Sequence, residues 1–333
     1  MRASDNTMPA SASPWPRRLA LATLIAAVPL VFFGGTVTTL HAGLAIDGWL
    51  VLDRGHGDHF LWLYPVDKWL RDAGTFVEHT HRLLGSIVGL LAIATAVATW
   101  RTDRRRTQRV LSLAALLAVV LQGVIGGLRV LERSEDLAFL HGAIAQAVFA
   151  TLGASWVAAS AGFGAARRAR GIDPGQGIGE LRGRSLFAAA VVYAEIVAGT
   201  WLRHGGASIA LAVHGLLVLV VIAAVARLAS GLHLLEGAAP ARLRTSLLAL
   251  LAVQFALGLA SFAVVRPLSG AQATAATGLG TSIFPTLHVL TGGCLLLACV
   301  ASVLWVHRLL PAPRAGTSEP RPVEGARGIE VAR

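Results

Sequence analysis

The chain has 333 residues, 55% of them hydrophobic and only 14% charged. A soluble domain carries about 25% charge, and here apolar runs recur from end to end, which excludes a soluble enzyme held by a single anchor. The net charge of +11 does not point to nucleic acid, because the arginines fall in short loops between apolar runs, where positive charge sets membrane topology.

Runs of about 20 apolar residues mark bilayer crossings. Eight are predicted, at 19–40, 76–100, 109–130, 137–160, 185–202, 208–229, 243–265 and 282–307. The expected fold is all-α and integral to the membrane. The first run follows Arg17 and Arg18, is too long for a signal-peptide core and lacks a clear cleavage site, so it is expected to stay as the first helix. The loops "WRTDRRRTQR" (100–109), "ARRAR" (166–170), "LRGR" (181–184) and "ARLR" (241–244) read as cytoplasmic. The first outer loop, 41–75, instead holds Asp47, Asp53, Asp58, Asp67 and Asp72. Both termini are then cytoplasmic, in a multi-pass protein of the inner (cytoplasmic) membrane. The tail after about 310, rich in Pro, Gly, Arg and Glu, is expected to be disordered. Cys294 and Cys299 lie five apart on one helix, point away from each other and should not bridge. No zinc or iron–sulfur spacing occurs.

An internal repeat runs through these spans. The third carries "QGVIGG", the fifth "EIVAGT" and the seventh "QFALGL", so Gln122, Glu195 and Gln254 each precede a glycine by four residues: Gly126, Gly199 and Gly258. The following span carries a histidine near its start, 19 residues after Gln122 and 19 after Glu195. The first span has "FFGGT" without the polar residue. The unit is a helical hairpin used four times, and two hairpins make one four-helix bundle. This gives two pseudo-symmetric bundles: 19–160 and 185–308, with a cytoplasmic N-terminus at 1–18, a cytoplasmic linker at 161–184 and the tail at 309–333.

His81, His141, His214 and His288 lie on the second, fourth, sixth and eighth spans, all near the outer end. Gly85, Ala145 and Gly292 lie one turn after three of them, and Gly142 and Gly215 follow directly, leaving room for a flat macrocycle or for close helix packing. A neutral imidazole inside a bundle is a good axial ligand for haem iron, so four in register can hold two haems. The bland reading is interhelical hydrogen bonding. The other histidines, His41, His56, His59, His79, His204, His233 and His307, read as solvated or interfacial.

Glu78-x-x-His81-Arg82 resembles the ExxHR signature of the haem A synthase family. Around it, "GGTVTTLHAGLAIDGW" (34–49) resembles that family's first-helix exit, and "LQGVIGGLRV" followed by "LHGAIAQ" resembles its third and fourth helices. The similarity covers roughly residues 20–308. It implies oxidation of the C8 methyl of haem O to a formyl group, giving haem A for cytochrome oxidase. It also implies a substrate haem on His81 and His141, and a haem b cofactor on His214 and His288.

Glu78 shares a helix face with His81, and the resemblance makes it the catalytic carboxylate. The alternative is an ion-pair partner for Arg82 or a carboxylate favoured at a helix start. Arg82, Arg129 and Arg203 lie at outer helix ends, placed either to meet haem propionates or to snorkel to the interface. Two features depart from the family: Thr38 and Thr39 stand in the first-helix exit, where relatives often carry an arginine, and the first outer loop lacks a cysteine pair. The resemblance makes a haem O synthase the functional neighbour and a homo-oligomer an open expectation. The electron donor, quinol or other, is left open. The competing reading is a di-haem b-type membrane cytochrome transferring electrons from quinol. A transporter ranks last, since broken helices near the midplane are not indicated.

Overall fold

Asp72 fixes where the second membrane helix begins. Its side chain accepts the Thr75 amide at 2.8 Å, so the helix starts at Ala73, ahead of the predicted residue 76. That hydrogen bond from Thr75 holds the Asp72 carboxyl below its ordinary pKa. Ser134 acts in the same way, accepting the Leu137 amide at 3.2 Å, so that the helix starts at Glu135, ahead of the predicted residue 137.

The computed structural model describes residues 13–55, 57–166, 178–205, 208–265 and 279–310. The expected cytoplasmic N-terminus, interhelix linker and disordered tail lie largely outside the described residues. The membrane helices are α1 (Trp15–Thr39), α3 (Ala73–Thr102), α4 (Arg106–Glu132), α5 (Glu135–Ala159), α7 (Ile178–Gly205), α8 (Ser208–Leu232), α9 (Ala238–Val265) and α10 (Leu279–Leu309). Between them lie the short helices α2 (Val66–Trp69) and α6 (Ala161–Ala165). Eight of these helices are long and apolar enough to cross a membrane, and the protein is a multi-pass membrane protein. Leu90, Leu117, Leu216, Leu219 and Leu259 are exposed on the helix surfaces, as hydrocarbon requires.

Consecutive helices pair as hairpins: α1 with α3, α4 with α5, α7 with α8 and α9 with α10. In the first half α1 also packs on α5, and α3 on α4. In the second half α10 packs on α7, and α8 on α9. The halves meet where α10 touches α1 and α5 and where α5 touches α7. Small residues allow this approach. A Cβ on Gly35 would stand 3.0 Å from the Thr286 methyl, and one on Gly153 would stand 2.3 Å from Leu297.

The segment between α1 and α3 folds as a cap. β1 (Val51–Leu52) pairs antiparallel with β2 (His59–Phe60), and a 3₁₀ turn at Leu61–Leu63 leads into α2. Ile46, Leu52, Leu61 and Tyr64 form its own small core. Asp53 accepts from Lys68 at 2.8 Å and from Tyr64 at 3.4 Å. Burial and the neighbouring Asp53 push the Tyr64 phenol up. Trp49 reaches down onto α4, where a Cβ on Gly127 would lie 2.3 Å from its indole.

Candidate functional site

Each of the four histidines rests against a glycine of the other helix in its hairpin. A Cβ on Gly34 would stand 2.8 Å from His81 Cε1, and one on Gly126 would stand 2.7 Å from His141 Cε1. The matching values are 3.0 Å for Gly199 and His214 and 3.1 Å for Gly258 and His288. The glycine of the sequence repeat is therefore the floor on which the imidazole lies. No side chain larger than hydrogen leaves that space.

The floor also turns the rings. His81 Nδ1 lies 3.1 Å from the Leu30 carbonyl, and His288 Nδ1 lies 3.2 Å from the Gln254 carbonyl. Leu30 and Gln254 each precede their glycine by four residues. The first span thus keeps the arrangement without a polar side chain, because a backbone carbonyl does the work. Gln122 donates from Nε2 to the His141 carbonyl at 2.8 Å. Glu195 brings Oε1 to 3.0 Å from His214 Nδ1.

Across the hairpins the histidines form two matched pairs. The ring centroids of His81 and His141 are 6.4 Å apart, with planes at 82°. Those of His214 and His288 are 6.3 Å apart, at 81°. Gln254 Nε2 lies 3.4 Å from His288 Nε2, so a metal taken on that nitrogen requires the amide to swing aside. A Cβ on Gly215 would meet nothing within 4 Å, and one on Gly85 would meet only Leu30, at 3.9 Å. Among the described residues no group of three or more His, Cys, Asp and Glu is gathered to hold a bare metal ion.

Glu78 is buried, 2% exposed. Arg82 donates to its Oε1 at 2.6 Å, and the Ile46 amide donates to its Oε2 at 2.9 Å. Arg82 also donates to the carbonyls of Gly48 at 2.8 Å and Ile46 at 3.0 Å. Of the two sequence readings for this glutamate, the ion pair with Arg82 is the one seen. Glu78 also lies one turn from a histidine of the first pair. Arg129 donates to the Gly43 carbonyl at 3.0 Å. Arg203 donates to the Gly35 carbonyl at 2.7 Å and to Thr39 Oγ1. All three arginines thus turn onto the exit of α1 and the cap that follows it.

His79 does not sit where the sequence suggested. It is 2% exposed rather than interfacial. Its ring packs 4.9 Å from that of Tyr64 and 5.1 Å from that of Trp69. The cap covers this face of α3, and the cap's own fold was not legible as a roof. Cys294 and Cys299 are free thiols.

With this geometry in view, the likenesses to known proteins are informative. Residues 70–215 match the COX15-CtaA family, described as cytochrome oxidase assembly protein. A heme A synthase of Chelativorans sp. (strain BNC1) is 30% identical over 142 residues, 42% of this chain and 39% of that protein. A heme A synthase of Exiguobacterium sp. (strain ATCC BAA-1283 / AT1b) is 29% identical over 191 residues, 54% of this chain and 60% of that protein. The protein named protoheme IX farnesyltransferase 1 of Natronomonas pharaonis is 34% identical over 137 residues, 40% of this chain and 26% of that protein. The chain spans less than two thirds of the length of each of these relatives. The matched stretch carries Glu78, His81, Arg82, Arg129, His141, Arg203 and His214. Over residues 70–215, which is less than half of its length, the chain is thus similar to the COX15-CtaA family of cytochrome oxidase assembly proteins.

Proposed function

We propose that the protein is a haem A synthase, converting the C8 methyl of haem O to a formyl group. The observation that carries this is the repeated histidine pair in a chain similar to this family over residues 70–215. Two imidazoles that shared one iron, with metal–nitrogen bonds of about 2 Å, would have ring centroids roughly 6 Å apart. Both pairs stand at that separation. The Nδ1 contacts with carbonyls support Nε2 as the nitrogen that would hold iron in His81 and, once the Gln254 amide swings aside, in His288.

In this reading His81 and His141 hold the substrate haem in the first bundle, residues 19–160. His214 and His288 hold a haem b cofactor in the second, residues 185–308. The haem supplies the redox chemistry at the substrate methyl. The protein supplies position and charge. His81 and Glu78 share one face of α3, so fixing the imidazole also fixes the carboxylate relative to the substrate edge. Glu78 handles the proton released at that edge, and Arg82 and the Ile46 amide hold its two oxygens in place. Arg129 and Arg203 offer their remaining N–H groups to the propionates.

The asymmetry of the repeat favours an enzyme over an electron carrier. The residue three before each histidine is Glu78 in the first case, then Ala138, Leu211 and Pro285. A di-haem cytochrome has no use for one carboxylate in four. Haem O comes from a farnesyl-transferring haem O synthase, the functional neighbour in this reading. The arginine-rich loops support the reading that both termini are cytoplasmic.

The test is haem extraction and chromatography after co-expression with a haem O synthase in a host lacking haem A. The wild type is expected to yield haem A. Glu78→Ala is expected to accumulate haem O or a hydroxylated haem. An inserted wild type that binds haem B and makes no haem A would instead identify a di-haem cytochrome.

A further inference from the structure

Four residues occupy one structural position, four before the glycine floor: Leu30, Gln122, Glu195 and Gln254. Three are neutral, and one is a carboxylic acid. Glu195 Oε1 stands 3.0 Å from His214 Nδ1, and among the described residues its ion-pair contact is with that histidine. Its other oxygen, Oε2, is buried without a hydrogen-bond partner, and so is His214 Nδ1, because the 3.0 Å approach is a contact not aligned as a hydrogen bond. Gln122, by contrast, spends its amide on the His141 backbone, and Gln254 presents its amide to His288 Nε2 and its carbonyl to Nδ1.

We propose that Glu195 is a positioning residue that lowers the reduction potential of the haem held by His214. It does so by holding its carboxylate against the Nδ1 edge of that ligand, 3.0 Å away, where a small turn of the imidazole lets it accept the Nδ1 proton. The proposal rests on the reading of His214 and His288 as an axial pair. A carboxylate behind an axial imidazole fixes its tautomer and increases its electron donation to the metal. Stronger donation stabilises the ferric state over the ferrous. An amide at the same place, as in two of the other repeats, does this far less because it carries no charge. The placement therefore separates the potentials of two otherwise matched sites and makes the second haem the stronger reductant. A haem in the second half that delivers electrons to the first needs that order.

The experiment is a spectroelectrochemical titration of the full-length haem-loaded protein in detergent, with low-spin EPR of the oxidised form. His214→Ala identifies which signal belongs to the second site. Glu195→Gln is expected to raise the midpoint of that haem by about 59 mV, a tenfold change in a one-electron couple, and to shift its EPR g-values. The other haem should not move. Where Glu195→Gln fails to insert, Glu195→Asp carries the test, since withdrawing the carboxylate by one methylene must raise the same midpoint. Loss of no haem signal in His214→Ala would sink the axial-pair reading itself. A retained, assigned signal whose midpoint is unchanged or falls in Glu195→Gln would overturn the proposal while leaving that reading intact.

Discussion

Arg82 and Glu78 form an ion pair one turn apart on α3, 2.6 Å between Nη2 and Oε1, with side chains 9% and 3% exposed. Both also hold the backbone of the cap at residues 46–48. Removing one member of a buried pair leaves an uncompensated charge and costs about 3–5 kcal/mol. Arg82→Ala should therefore lower the melting temperature sharply and release the cap. Glu78→Ala combined with Arg82→Ala should cost less than the sum of the two single changes, as coupled residues do. Thermal melting in detergent of the four species checks this. Additive losses would mean that the pair does not couple cap and helix.

The glycine floors give a graded prediction. A Cβ would approach the imidazole to 2.7 Å at Gly126, 2.8 Å at Gly34, 3.0 Å at Gly199 and 3.1 Å at Gly258. Alanine at Gly126 or Gly34 should push out the ring and empty the first haem site. Alanine at Gly199 or Gly258 should cause smaller losses at the second. Gly123 is the control, since a Cβ there meets nothing within 4 Å. Gly123→Ala should hold its haem and gain up to about 1 kcal/mol of helix stability. Haem per chain, measured by absorbance, ranks the series, and equal losses at Gly123 and Gly126 would refute the floor.

Asp103 carries a pH prediction on the opposite face. It caps the end of α3 and accepts from the Arg105 amide at 2.9 Å and from Arg105 Nη2 at 2.6 Å. Burial pushes its carboxyl up, but the Arg105 hydrogen bonds and the charges of Arg105 and Arg109 outweigh that and hold its pKa below the usual value. A depressed folded pKa contributes stability that is present above the unfolded pKa and lost as pH falls through the folded one. Asp103→Asn should thus melt lower than wild type by a constant margin from neutral pH down to about pH 4, the ordinary carboxylate range. Only below that should the two curves converge. Convergence near neutral pH would show that the carboxylate is not held by Arg105.

The membrane helices and the four histidines were legible in the sequence because both depend on local periodicity. A run of apolar residues is a helix whatever it packs against, and the repeat of Gln or Glu, Gly and His survives as a fixed spacing. The helix ends were misplaced by a few residues because caps such as Asp72 extend helices into polar sequence. The first-span version of the repeat was incomplete in the sequence, since Leu30 acts through its carbonyl and its side chain carries no sign of it. The cap was illegible as a structure. Arg82 meets Gly48 and Ile46 across more than 30 residues of chain, and nothing in local spacing announces such a contact.

His79 is the clearest consequence of that hidden cap, and it separates two histidines that stand two residues apart. His81 faces Gly34 and the first pair, whereas His79 faces Tyr64 and Trp69 beneath the cap. Its Nδ1 is buried with no hydrogen-bond partner. Such an atom costs about 1–3 kcal/mol of desolvation. An aromatic ring of similar shape without that atom should therefore be tolerated. His79→Phe is expected to keep haem content unchanged and to leave the melting temperature equal or higher. His81→Phe should remove the haem of the first site. Haem content and melting temperature of the two variants decide the matter. Loss of haem in His79→Phe would mean that the cap-facing histidine reaches the haem site after all, and that the cap is part of the binding pocket rather than its roof.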